Sequence, residues 1–428
     1  MNKLNLNLDY DFHNKLAQKV GTPAYIYDEN KLVDKLSSYQ KHFVSDKFQT
    51  DVIYASKAFT CRELLKMLTE YNFCLDVVSK GEMFSAVASG YELKNAYFHG
   101  NNKTEDELYY ALENGIGTIV IDNISEVVDV IRIAEELKVN VNTLIRLNPG
   151  IEAHTHKYIV TAHIESKFGI LASDMDSILG IIKQIQNSEY VSFMGFHAHI
   201  GSQIFEIEAF KSEISILFDF IEKLNKEHSI AVRQLDLGGG FAVHYTDEDK
   251  PIPTETVCRE IISCCEENIE KRNLPLDKLM IEPGRSIVAE AGYTLYRVGY
   301  LKQTPTKLYA FVDGGMSDNI RVALYDAKYD CEILGKEDAP KDTLVSLAGK
   351  CCESGDILIN EIMLPRPEQN DLVAVLTTGA YGHSMASNYN RNLKPAVVFV
   401  KGESARLVVR REEYNDFEEM QRNDEIEL

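Results

Sequence analysis

The chain has 428 residues, 45% of them hydrophobic, with 25 glycines and a formal net charge of -21. That length buries a sizeable core and exceeds one small domain, so two domains are expected. The acidic balance argues against nucleic acid or an anionic membrane as a general partner, since binding phosphate calls for a basic surface.

From Met1 to Asn7 polar and apolar residues alternate. The unbroken apolar run and small-residue cleavage site of a signal peptide are missing there. No later stretch approaches the roughly 20 apolar residues of a membrane helix, and a cytoplasmic location is expected. The eight cysteines occur singly or as the adjacent pairs Cys264-Cys265 and Cys351-Cys352. That is not metal-type spacing, so reduced thiols and no metal site are expected.

Ala24–Tyr27 reads as an extended segment. Eight short β-rich runs then recur between amphipathic stretches: Val52–Tyr54, Leu75–Val78, Ala96–Phe98, Thr118–Ile121, Thr143–Arg146, Met194–His197, Leu235–Leu237 and Leu279–Glu282. Between them, Glu126–Ala134 carries apolar positions at helical spacing. Repeated βα units imply a parallel sheet, and eight of them match a (β/α)₈ TIM barrel. A doubly wound open sheet leaves part of the set over. Beyond about residue 290 the texture changes to alternating runs such as Leu308–Val312, Leu372–Leu376 and Ala396–Val400, which reads as an antiparallel β domain. The expected division is a barrel over 28–290 and a β-sandwich or β-barrel-like domain from 1–27 and 291–428.

In such a barrel the C-terminal strand ends share one mouth. Lys57, Asp76, His99, Asn148, His197, His199, Gly238-Gly239-Gly240 and Glu282 all fall at such ends. Lys57 reads either as a solvated lysine or as a Schiff-base lysine whose neutral amine attacks an aldehyde. The triple glycine reads as a tight turn or as bare amides that approach a phosphate. Glu282 and Arg285 are a surface ion pair, or else a carboxylate for a pyridine nitrogen beside a second phosphate loop. Only one of His197 and His199 is expected to face the cavity, the other being structural.

Jointly and in order, several segments resemble the fold-type III pyridoxal-phosphate (PLP) decarboxylases over nearly the whole chain. They are Tyr54–Ala58, Ile145–His156, Ser166–Gly169, His197–Gln203, Leu237–Phe241, Glu282–Ser286, Asp313–Asp318, Cys352–Asp356 and Gly379–Gly382. The resemblance implies an alanine racemase-like PLP barrel followed by a β domain, assembled as a homodimer with composite active sites. By match to the family's motifs, Lys57 would carry the cofactor, Asp76 would lie near it, Glu282 would bind the pyridine nitrogen and His199 would stack on the ring. Ser202, Gly238, Gly239, Gly240, Gly284, Arg285 and Tyr381 would hold the phosphate. Cys352 and Glu353 would enter from the partner subunit, with Cys352 as a proton donor.

Family-matched Arg285 and Arg321 are able to clasp a distal carboxylate, Glu353 an ammonium, and Tyr325 and Tyr381 supply hydroxyls. That set favours a dicarboxylic diamine, meso-diaminopimelate, decarboxylated to L-lysine and carbon dioxide at the last step of lysine biosynthesis. The alternatives are a decarboxylase for ornithine, arginine or carboxynorspermidine, or a non-catalytic PLP-binding homologue. The sequence departs from the family pattern at Phe59, Lys80, Ile320, Val322 and Arg391–Pro395.

Overall fold

The computed structural model describes Leu6, Asp9–Gly150, Ser166–Arg422, Asp424 and Ile426; the Ile151–His156 part of the fifth-strand motif lies outside these residues. The chain divides into two compact units. One comprises Val33–Val243 and Lys250–Ile287, the other Met1–Leu32, His244–Asp249 and Val288–Leu428.

Strands are numbered from β1 (Ala24–Asp28). The first unit is built on β2 (Gln49–Ala55), β3 (Cys74–Val77), β4 (Ala96–Phe98), β5 (Thr118–Ile121), β6 (Val141–Asn148), β7 (Ile170–Leu171), β8 (Val191–His197), β9 (Gln234–Asp236) and β10 (Lys278–Ile281). The spatial order is β5-β4-β3-β2-β10-β9-β8-β6, and β5 also pairs with β6, so the eight parallel strands close on themselves. The two-residue β7 extends β6 at its C-terminal end. This is the expected (β/α)₈ barrel.

Why these residues form a barrel is visible locally. β5 is buried along its whole length, as a strand covered on both faces must be. Inside the barrel, Ile53, Tyr97, Val120, Leu144 and Met280 pack as one cluster, each fully buried aliphatic contributing about 1.5–3 kcal/mol. Outside, Ile124–Leu137 turns Val127, Val130, Ile133 and Ala134 inward, and Asn123 caps it by accepting the Ser125 and Glu126 N–H groups. Ridges at this spacing cover the strands from the other side.

The second unit holds β1 with β11 (Gly292–Gln303), β12 (Leu308–Val312), β13 (Cys331–Ile333), β14 (Thr343–Ala348), β15 (Ile357–Leu364), β16 (Leu372–Val375), β17 (Ala396–Lys401) and β18 (Ser404–Val409). Their order is β15-β14-β12-β11-β1-β17-β18, with β16 joining β11 to β13. Most pairs are antiparallel, but β1 runs parallel to β17 and β12 to β14, so the sheet is mixed. β1 arrives from the other end of the sequence, so no hairpin dictates its direction. Ala24, Ile26, Leu295, Ala374 and Val398 form part of the core beneath it. No helix among the described residues is long and apolar enough to cross a membrane.

Candidate active site

At the C-terminal ends of the barrel strands lies a cavity of about 480 Å³, lined among others by Lys57, Asp76, Arg146, His197, His199 and Glu282. That volume lies in the ordinary range for small-molecule sites. Lys57 sits on a short 3₁₀ turn, Ser56–Ala58, just beyond β2. Its side chain is 52% exposed, and Nζ stands 3.9 Å from Oδ2 of Asp76, which is 2% exposed. Burial raises the Asp76 carboxyl above its usual range, against the pull of His99 and Lys57.

Glu282, directly after β10, forms the cavity floor. Its Oε1 lies 2.7 Å from Nε2 of His99, and its Oε2 accepts a hydrogen bond from Nε2 of His197 at 3.1 Å. Burial alone would raise this carboxyl, yet the two histidines hold it well below the ordinary value. Burial pushes His197 down to about 4, so its ring is neutral near pH 7. Buried Asp236 lies with Glu282, His99 and His197, their polar atoms within 4.8 Å of one another. Its Oδ1 accepts the Gly238 N–H at 2.8 Å, and burial, followed by the charge of Glu282, raises its carboxyl well above the usual range.

His199 offers Nδ1 to the Gly239 N–H at 3.2 Å. Burial, then the charges of Lys57 and Arg146, push its pKa down to about 3; a ring that accepts at Nδ1 must be unprotonated there. Gly238 and Gly240 have φ of +63° and +104°, and a Cβ on Gly239 would stand 2.2 Å from the Glu282 carbonyl oxygen. No side chain fits at that crossing, so β9, β10 and the loop after β8 meet backbone to backbone. A Cβ on Gly284 would stand 2.9 Å from the Ala55 Cβ. Arg285 donates from Nη2 to Ser202 Oγ at 2.8 Å.

The remaining predicted residues belong to the β unit. Arg321, 9% exposed, donates from Nε to the Tyr329 hydroxyl at 3.1 Å. Its guanidinium lies 5.3 Å from the ring centres of both Tyr325 and Tyr381, which orients a cation without neutralising it. Cys352 and Glu353 are exposed in the loop between β14 and β15. Buried Asp356 shapes that loop, accepting the Cys351 N–H at 2.7 Å and the Met316 N–H at 2.6 Å.

One expectation is corrected. His197 and His199 both line the cavity, because residues two apart in extended chain share a face; it is Ala198, fully buried, that turns away. Sequence reasoning also missed Asp236 as a neighbour of the Glu282 carboxylate. Its signal was available: an acid between two leucines, two residues before three glycines.

The cavity fits a flat phosphorylated pyridine. It offers an amine, an ionised carboxylate beside two histidines, and Asp76 Oδ1, a buried acceptor with no hydrogen-bond partner. The family described as pyridoxal-dependent decarboxylase, pyridoxal binding domain, matches residues 29–289, and the chain belongs to that family. Within it, the chain is 44% identical to the diaminopimelate decarboxylase of Bacillus subtilis over 94% of this chain and 91% of that one. It is 43% identical to the diaminopimelate decarboxylase of Staphylococcus aureus, covering 93% of each. Among solved structures, the diaminopimelate decarboxylase of M. jannaschii in complex with L-lysine superposes with a TM-score of 0.88 at 32% identity, covering 94% of this chain and 92% of that one.

Proposed function

We propose that this chain is a homodimeric cytoplasmic enzyme that removes carbon dioxide from meso-diaminopimelate to give L-lysine, the last step of lysine biosynthesis, with PLP as cofactor. The observation that carries the reading is one barrel cavity holding the Lys57 amine, the Asp76 and Glu282 carboxyls and a neutral His199 ring. It occurs in a chain 44% identical to a diaminopimelate decarboxylase.

In this reading Lys57 holds the cofactor through its amine, Glu282 faces the ring nitrogen and His199 lies against the ring. Ser202, Arg285, Tyr381 and the amides of Gly238, Gly239, Gly240 and Gly284 take the phosphate. When bound, the cofactor supplies an electron sink for the pair left behind by departing carbon dioxide. Lys57 must be neutral to bond to an aldehyde, and Asp76, 3.9 Å from Nζ and raised in pKa by burial, receives that proton. A carboxylate with a low pKa at Glu282 leaves a shared proton on its partner rather than on itself.

Arg321, already oriented by two aromatic rings, takes the distal carboxylate together with Arg285 and the hydroxyls of Tyr325 and Tyr381, while Glu353 takes the distal ammonium. Cys352 gives a proton to the α-carbon. The exposure of Cys352 and Glu353 supports their service to a partner subunit. Purified protein incubated with PLP and meso-diaminopimelate should release lysine and carbon dioxide in equal amounts. Diamines formed from lysine or ornithine, with no lysine from meso-diaminopimelate, would overturn the reading.

A further inference from the structure

We propose that His99 and His197 are positioning residues for Glu282, gripping one carboxylate oxygen each so that the carboxylate stays ionised and aimed into the cavity. The proposal rests on the reading of Glu282 as the group facing the cofactor's ring nitrogen, and it assigns work to two histidines that act only through that carboxylate.

His99 Nε2 stands at 2.7 Å from Oε1 and His197 Nε2 at 3.1 Å from Oε2, and the two rings meet edge to face with centroids 4.9 Å apart. All three side chains are buried, with Glu282 7% exposed, His99 5% and His197 1%. A carboxylate buried at this depth without partners would take up a proton instead of staying charged. A hydrogen bond from His197 at Oε2 and the close approach of His99 Nε2 to Oε1 oppose that. His197 is neutral, so it offers an N–H without cancelling the negative charge that a protonated ring nitrogen would seek. Asp236, beside Glu282, has its carboxyl pKa raised well above the usual range by burial.

Polar atoms of His99, His197, Asp236 and Glu282 lie within 4.8 Å of one another, which raises the question of a metal ion. Ligands around a tetrahedral zinc with bonds of about 2.0 Å stand roughly 3.3 Å apart. The 2.7 Å and 3.1 Å spacings are shorter than that, so the cluster is an anchored carboxylate.

The test is a double-mutant cycle on full-length enzyme. It reads kcat and KM separately, together with the affinity for PLP followed by the absorbance of the bound cofactor. His99→Asn and His197→Asn should each lower kcat and cofactor affinity roughly tenfold or more, the scale of a lost hydrogen bond to a charged group, with KM little changed. Glutamine ends its amide nitrogen near the position of histidine Nε2 and asparagine does not, so His99→Gln and His197→Gln should recover most of the loss. In a Glu282→Gln background each asparagine replacement should cost less than about twofold, because the carboxylate it serves is gone. A damaged Glu282→Gln enzyme in which the histidine losses multiply unchanged would overturn the histidine assignment alone. A Glu282→Gln enzyme with unaltered kcat and cofactor affinity would overturn the reading of Glu282 as well.

Discussion

Glu213 offers a quantitative test of the barrel unit. It lies on the inner face of helix Ile207–His228, beside Phe210, Ile214 and Leu217, and is fully buried with neither carboxyl oxygen hydrogen-bonded. Burial alone raises its pKa well above the reference value of 4.5. A carboxyl of this kind binds its proton more tightly in the folded state. Its favourable contribution is therefore complete below the unfolded value and is lost as pH climbs toward the raised folded one. The loss runs at up to about 1.4 kcal/mol per pH unit between the unfolded value and the raised folded one, and Glu213→Gln or Glu213→Met escapes it. Glu213→Met should also gain about 1–3 kcal/mol at low pH by removing a buried group without a partner. For a unit of this size each kcal/mol moves the melting temperature by about 2–4 °C. Melting curves of wild type and both variants at half-unit steps from pH 4.5 to 8 should diverge as pH rises. Parallel curves would refute the assignment of a buried proton to Glu213.

Three further outcomes follow from the site. Lys57→Ala should abolish both the visible absorbance of bound cofactor and lysine formation; a spectrally normal, active variant would remove Lys57 from the centre of the chemistry. Arg321→Ala should cut kcat/KM for meso-diaminopimelate by roughly 10- to 150-fold, the range for a lost hydrogen bond between charged groups, and an unchanged ratio would show that Arg321 does not touch substrate. Mixing inactive Lys57→Ala protein with inactive Cys352→Ala protein under exchange conditions should restore about a quarter of wild-type activity, since half of randomly formed dimers carry one intact composite site. No recovery would contradict contribution of Cys352 from a partner.

The barrel was legible because short strand runs recur eight times between amphipathic stretches, and β4 and β5 coincide with Ala96–Phe98 and Thr118–Ile121 as read from sequence. Most of the candidate site was legible for the same reason, since strand ends in this fold share one rim. What escaped depends on facts that a linear pattern holds weakly. The parallel pairing of β1 with β17 joins segments more than three hundred residues apart, and nothing local in either specifies direction. Asp236 looked like one polar interruption of an apolar run, and its partner Gly238 becomes informative only once the loop is folded. Glu213 sits in an amphipathic helix where periodicity assigns an acid to the outside, and only packing against helix Thr254–Arg272 reveals the exception.

The setting of β1 bears on the order in which the molecule is made. Its Ala24–Tyr27 side chains are completely buried, and both its hydrogen-bonding edges are taken, by β11 on one side and β17 on the other. During synthesis this strand emerges before the other strands described, and its second neighbour, β17, follows more than three hundred residues later. At typical elongation rates the interval is on the order of half a minute. Until β17 arrives, the apolar strand keeps at least one edge open while the barrel strands assemble behind it. A nascent chain in that state is a natural client for a chaperone that shields extended hydrophobic segments. Slow codons placed before β17 would lengthen the exposure, and a circularly permuted chain that begins after β1 would abolish it.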